Sequence, residues 1–92
     1  MEEFFNKIQA ECDKQDTKWG VDRNLHPLEW ISILSEEVGE VSKEINDAGF
    51  NVEEIMLKKY EDEIIQVAAV ACQMLKNIKY YKERSIFFNK SL

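Results

Sequence analysis

From Val52 to Glu83 the chain reads "VEEIMLKKYEDEIIQVAAVACQMLKNIKYYKE", without a glycine or a proline, and no other feature restricts its fold as strongly. A run of this length predicts one helix longer than globular domains usually carry, so it either spans a dimer or bends near "LKKYED". Asn51, three residues ahead of Glu54, resembles an N-cap with its reciprocal acid and opens the helix. Ile64, Val67, Ala68, Ala71, Leu75 and Ile78 recur at helical spacing and predict its core face. The small alanines in that stripe let another helix approach closely.

Two further helices are predicted upstream. Phe5, Ile8 and Cys12 recur at helical spacing over about residues 2 to 17, and Trp19 extends the stripe before "DTKWGVDRNLH" breaks it as a loop. Pro27 suits a first helical turn, where its missing N–H costs nothing. Ile31, Leu34, Val38, Val41 and Ile45 follow at alternating spacings of three and four, a core face ending near "DAGF", where Gly49 can take a left-handed cap. The tail "RSIFFNKSL" predicts a short last helix with Phe87 and Phe88 packing on a neighbour. With 92 residues the chain makes one domain, 1–92. The fold class is all-α: two long antiparallel helices with an N-terminal and a short C-terminal helix. Both long helices carry more apolar surface than these partners cover, which predicts a homo-oligomeric bundle, dimer or tetramer.

The net charge of −6 argues against a nucleic-acid partner, since phosphate backbones are held by clustered Lys and Arg. Cys12 and Cys72 have neither CxxC nor zinc-like spacing and read as buried, reduced thiols. "MEEFFNKIQAECDKQ" is charged and amphipathic, unlike a signal peptide, and "IIQVAAVACQML" is too short for a membrane span. A cytoplasmic location without membrane contact is the expectation.

The acids are patterned. In "SEEVGEVSKE", Glu37 and Glu40 stand three apart and point the same way, with Glu36 beside them. In "YEDEIIQVAAV", Glu63 and Gln66 repeat that spacing, and antiparallel packing of the two helices brings four oxygen-bearing side chains toward one point. Like charges so close repel, and a hard divalent cation removes the conflict; oxygen-only donors suit Mg²⁺ or Mn²⁺. The plain alternative is an acidic, solvated helix face. A di-iron bundle wants Glu-x-x-His pairs, and the sole histidine, His26, lies outside any such pair.

These residues resemble the all-α nucleoside triphosphate pyrophosphohydrolases of the MazG-like group, whose pattern is EExxE, a spacer, then ExxD on two packed helices. Glu36-Glu37-Val38-Gly39-Glu40 matches the first half. After 22 intervening residues, Glu63-Ile64-Ile65-Gln66 matches the second, with Gln66 where the family has aspartate. "HPLEWISILSEEVGEVSKEI" and "EIIQVAAVA" also resemble a small single-domain branch, so the likeness covers about His26 to Leu75. It implies a homodimeric bundle that splits a nucleoside triphosphate between its α and β phosphates. It further implies Mg²⁺ (or Mn²⁺) on Glu37, Glu40, Glu63 and Gln66, and Glu36 or Glu40 as the base. The amide of Gln66 brings no charge, which weakens the hold on metal; Asp62 or Glu36 can compensate through water. Weaker substrate candidates are Trp30, as a stacking ring or as core, His26 and Lys59, with Lys58, Arg23 and Lys90 behind them. A chain that keeps the fold but binds nucleotide without turnover, or one that only dimerises, are the rival expectations.

Overall fold

A computed structural model describes residues 1–84, and among these it is all-helical, with no strand. The elements are α1 (Glu2–Trp19), α2 (Pro27–Ala48) and α3 (Glu54–Arg84). The expected C-terminal helix, with Phe87, Phe88 and Lys90, lies outside the described residues. No helix among them is long and apolar enough to cross a membrane.

The glycine- and proline-free run becomes a single helix of 31 residues, unbroken through "LKKYED". At a 1.5 Å rise it is about 46 Å long, most of the 54 Å that the described residues extend. It begins at Glu54, later than the Asn51 cap predicts. The Asn51 N–H is taken by the carbonyl of Ala48 in the turn after α2, and Glu53 accepts the first N–H of the new helix, from Leu57.

The start of α2 is built as its sequence suggests. Pro27 holds the first turn, His26 Nδ1 accepts the Leu28 N–H at 3.0 Å, and Glu29 accepts the His26 N–H at 3.0 Å. This reciprocal cap satisfies two donors that a helix start would otherwise leave open. Gly49 ends α2 with a φ of 60° and a ψ of −128°, a positive φ as expected but outside the left-handed helical basin.

Helix α3 is the spine. Contacts of α1 with it climb together, Lys7 to Glu61, Cys12 to Ala69 and Asp16 to Gln73, so α1 runs parallel to α3. Leu25 to Tyr81 and Trp30 to Asn77 run in opposite senses, so α2 is antiparallel. α1 and α2 each pack on α3 and not closely on each other, which leaves a groove between them.

The core face of α3 differs from the one predicted. Ala69, Val70, Gln73, Asn77 and Tyr81 are buried, while Ile64, Leu75 and Ile78 are exposed. Burying polar side chains is tolerable only when they are bonded, and these are. Gln73 Nε2 donates to Asp16 Oδ1 at 2.9 Å, and Asn77 Oδ1 accepts the Trp30 indole N–H at 2.7 Å. The Tyr81 hydroxyl donates to the Leu25 carbonyl. Ala69, fully buried, allows Cys12 to reach its carbonyl. Both cysteines are free, Cys12 buried and Cys72 half-buried, and burial pushes the Cys12 thiol up.

The α2 stripe is likewise turned. Leu34 and Val41 are half-buried, but Ile31, Val38 and Ile45, a heptad apart, are not. Together with Ile64, Leu75 and Ile78 they are between 41% and 66% exposed. At about 100° per residue, both rows lie on the flanks of α2 and α3 that face away from the α1–α2 groove. On α1, Phe5 and Trp19 are also exposed, so only Cys12 of its predicted stripe is buried.

Candidate functional site

The groove between α1 and α2, floored by α3, forms a cleft of about 830 Å³. That lies within the roughly 300–1,000 Å³ typical of small-ligand sites. Its walls differ in charge. From α2 and α3 come Glu36, Glu37, Ile33, Gln66 and Val70; from α1 and the following loop come Lys14, Lys18, Arg23, Trp19, Gln15 and Glu11.

The acidic wall follows from helical phase. Glu37 stands beside Leu34 and Val41 on the half-buried side of α2, and Glu36 one step outward. Burial first, then the charges of Glu63, Glu36, Glu40 and Glu11, hold the Glu37 carboxyl above its ordinary value of 4.5. Glu63 is also raised, by burial and then by Glu40, Glu44 and Asp62. The acids of α2 and α3 therefore press on one another across the helix interface. Glu36, Glu37 and Gln66 line the cleft itself; Glu40 and Glu63 do not, and stand along the same interface beyond it.

As donors these groups fit a hard divalent cation in kind, since all are oxygens and most are charged. They are not gathered as a ready cage. Among the described residues, no three His, Cys, Asp or Glu side chains stand close enough together to hold a metal ion. Glu36 and Glu40 are exposed, so their side chains are free to spread away from like charge.

The three substrate-contact candidates all stand outside the lining of the cleft. Trp30 is 2% exposed, with its indole N–H on Asn77 and the Arg23 guanidinium 4.9 Å above its ring, so it has no free face for a base. His26 caps α2 and Lys59 is an exposed residue of α3; neither lines the cleft. The cleft draws instead on Lys14, Lys18 and Trp19 of α1, none of them among the predicted substrate contacts, and on Arg23. Lys14 and Lys18 are four apart on one side of α1, a legible pair. Nothing local says that this side faces Glu37.

A pH dependence of stability follows from the raised carboxyls. The folded chain holds the Glu37 and Glu63 protons more tightly than the unfolded chain does. The associated stability is present below the ordinary carboxyl value of 4.5 and is lost as pH rises through the folded values. In chelator, Glu37→Gln is therefore expected to melt above wild type at neutral pH, with the gap closing toward pH 4.5. A gap that does not vary with pH would show that Glu37 carries no such penalty.

Comparison of the chain with family models, curated proteins and solved structures returns no match.

Proposed function

We propose that the cleft, together with the acidic α2–α3 interface beside it, is the active site of a MazG-like, metal-dependent pyrophosphohydrolase that converts a nucleoside triphosphate to its monophosphate and pyrophosphate. One observation carries the reading: carboxylates of α2 and α3 raise one another's pKa beside a cleft whose opposite wall holds Lys14, Lys18 and Arg23. Such a division suits a ligand that is itself anionic and brings, or meets, a cation. Glu37, Glu40, Glu63 and Gln66 would hold Mg²⁺ or Mn²⁺. Bound there, the ion would supply charge neutralisation on the phosphoanhydride oxygens.

The chain's own residues divide the remaining work. Glu36 lines the cleft and is exposed, so its carboxylate can accept a proton from water attacking the phosphorus; Glu40 lies outside the lining, which favours Glu36 as the base. Trp19, 60% exposed at the rim, offers an aromatic face. Gln66 is half-buried within the lining and contributes an amide oxygen without charge.

The test is pyrophosphate release from a panel of nucleoside and deoxynucleoside triphosphates with Mg²⁺ or Mn²⁺, for wild type and Gln66→Asp. Release by wild type supports the hydrolase. Silence in wild type with release by Gln66→Asp supports a nucleotide-binding module instead, and silence in both removes the hydrolase reading.

The same proposal includes a second copy of the chain. The exposed rows Ile31, Val38, Ile45 and Ile64, Leu75, Ile78 lie on the flanks of α2 and α3 away from the cleft, and a second copy packed there would take this apolar surface out of water. Leu75→Glu puts a charge at the most exposed of these positions and is expected to turn a sedimenting dimer into monomer without loss of helical signal. A monomeric wild type, or a variant that stays dimeric, would count against this interface.

A further inference from the structure

We propose that the α1 wall of the cleft is an anion subsite, formed by Lys14, Lys18 and Arg23, that receives the outer phosphates of a polyphosphate ligand. The inference rests on reading the cleft as a nucleotide site, but its support is separate from the carboxylates. In a chain of net charge −6, three cations are gathered on one wall. None of them forms an ion pair among the described residues, although Glu11, Glu36 and Glu37 share the same cleft.

Arg23 is held for this role by the core. Its guanidinium lies over the Trp30 ring, and that ring is locked by the bond from its N–H to Asn77. One guanidinium nitrogen, Nη2, is buried and has no hydrogen-bond partner among the described residues. A buried, unbonded charged donor is costly, and a turn of the guanidinium that offers this nitrogen to an acceptor in the cleft removes the cost. The planar fork of arginine matches a phosphate with two parallel bonds. Lys14 and Lys18, one turn apart on α1, add exposed point charges beside it, with the Lys18 ammonium 4.8 Å over the Trp19 ring.

A second orphan sharpens the ligand class. Gln15 Oε1 is also buried without a partner, and it is an acceptor. A bare phosphate oxygen cannot satisfy it. Both residues line the cleft, so small side-chain rotations would present orphans of opposite polarity to a ligand with acceptors at one end and donors elsewhere, and a nucleoside triphosphate has both.

The test is calorimetric titration of the full chain with inorganic pyrophosphate, in chelator and again in Mg²⁺, at low salt. Arg23→Gln and the Lys14→Gln/Lys18→Gln pair are each expected to weaken binding by about tenfold or more, with partial recovery in Arg23→Lys. In chelator, Glu37→Gln is expected to bind at least as well as wild type, because it removes a repelling charge. Equal affinity of wild type and both wall variants, with melting temperatures unchanged, overturns the subsite, as does a wild type that binds no pyrophosphate in either buffer. The two proposals part cleanly. A chain that binds pyrophosphate through this wall but releases none from any triphosphate keeps the subsite and loses the hydrolase. One that hydrolyses triphosphates with KM unchanged in the wall variants keeps the hydrolase and loses the subsite.

Discussion

Glu37→Gln is expected to lower metal-dependent pyrophosphate release by about 10²-fold or more, the scale for removing one preorganised group that stabilises transition-state charge. The same substitution is expected to stabilise the metal-free fold, because Glu37 is half-buried and pressed by Glu63, Glu36, Glu40 and Glu11. These opposite signs make the experiment informative. A residue kept for stability would lose both on substitution, whereas one kept for cation binding trades stability for activity. Activity is read as pyrophosphate release at saturating Mg²⁺, stability as thermal melting in chelator. Unchanged release in Glu37→Gln would remove this residue from the site, and a lower melting temperature in chelator would remove the strain argument.

The largest stability loss is expected at Trp30. Truncation to alanine should cost about 3–5 kcal/mol, the range for deleting a buried aromatic side chain. A domain of this length has in total about 5–14 kcal/mol. Trp30 lies at the junction of all the described elements except α1: it sits on α2, bonds Asn77 of α3 and supports Arg23 of the loop. Trp30→Phe keeps most of the apolar volume and loses the N–H, so about 1–3 kcal/mol is expected. Urea unfolding of both variants reads the order directly. A Trp30→Ala chain with the wild-type midpoint would mean that the ring is not a core anchor.

The element boundaries were the most legible part of the chain. Pro27 and Gly49 bracket α2 because a missing N–H and a positive φ are properties of single residues, independent of what packs nearby. The continuity of α3 was legible for the same reason, as nothing from Val52 to Glu83 interrupts it. Its start was not. Asn51 and Glu54 have the composition of a cap, but the N–H of Asn51 closes the preceding turn instead.

Faces were harder. Hydrophobic periodicity says which residues avoid water, not which surface covers them, and α3 has two candidate faces. The intramolecular one is the less apolar: Gln73 and Asn77 are buried because Asp16 and Trp30, distant in sequence, meet their hydrogen-bonding groups. The more apolar row, Ile64, Leu75 and Ile78, is left exposed.

The candidate site divides along the same line. The spacings of Glu37 with Glu40 and of Glu63 with Gln66 are local and were legible; that burial and then Glu63 raise the Glu37 carboxyl, while burial and then Glu40 and Glu44 raise Glu63, depends on how α2 and α3 pack. The opposite wall depends on α1 lying parallel to α3 and apart from α2, an arrangement made by Cys12 on Ala69 and Asp16 on Gln73. Sequence alone determined what repeats along one helix, because helical geometry converts spacing into direction. Only the tertiary structure decided that Lys14, Lys18 and Arg23 face the acids, and that Trp30 turns from a possible ligand platform into a buried support, because those facts depend on partners far away in the chain.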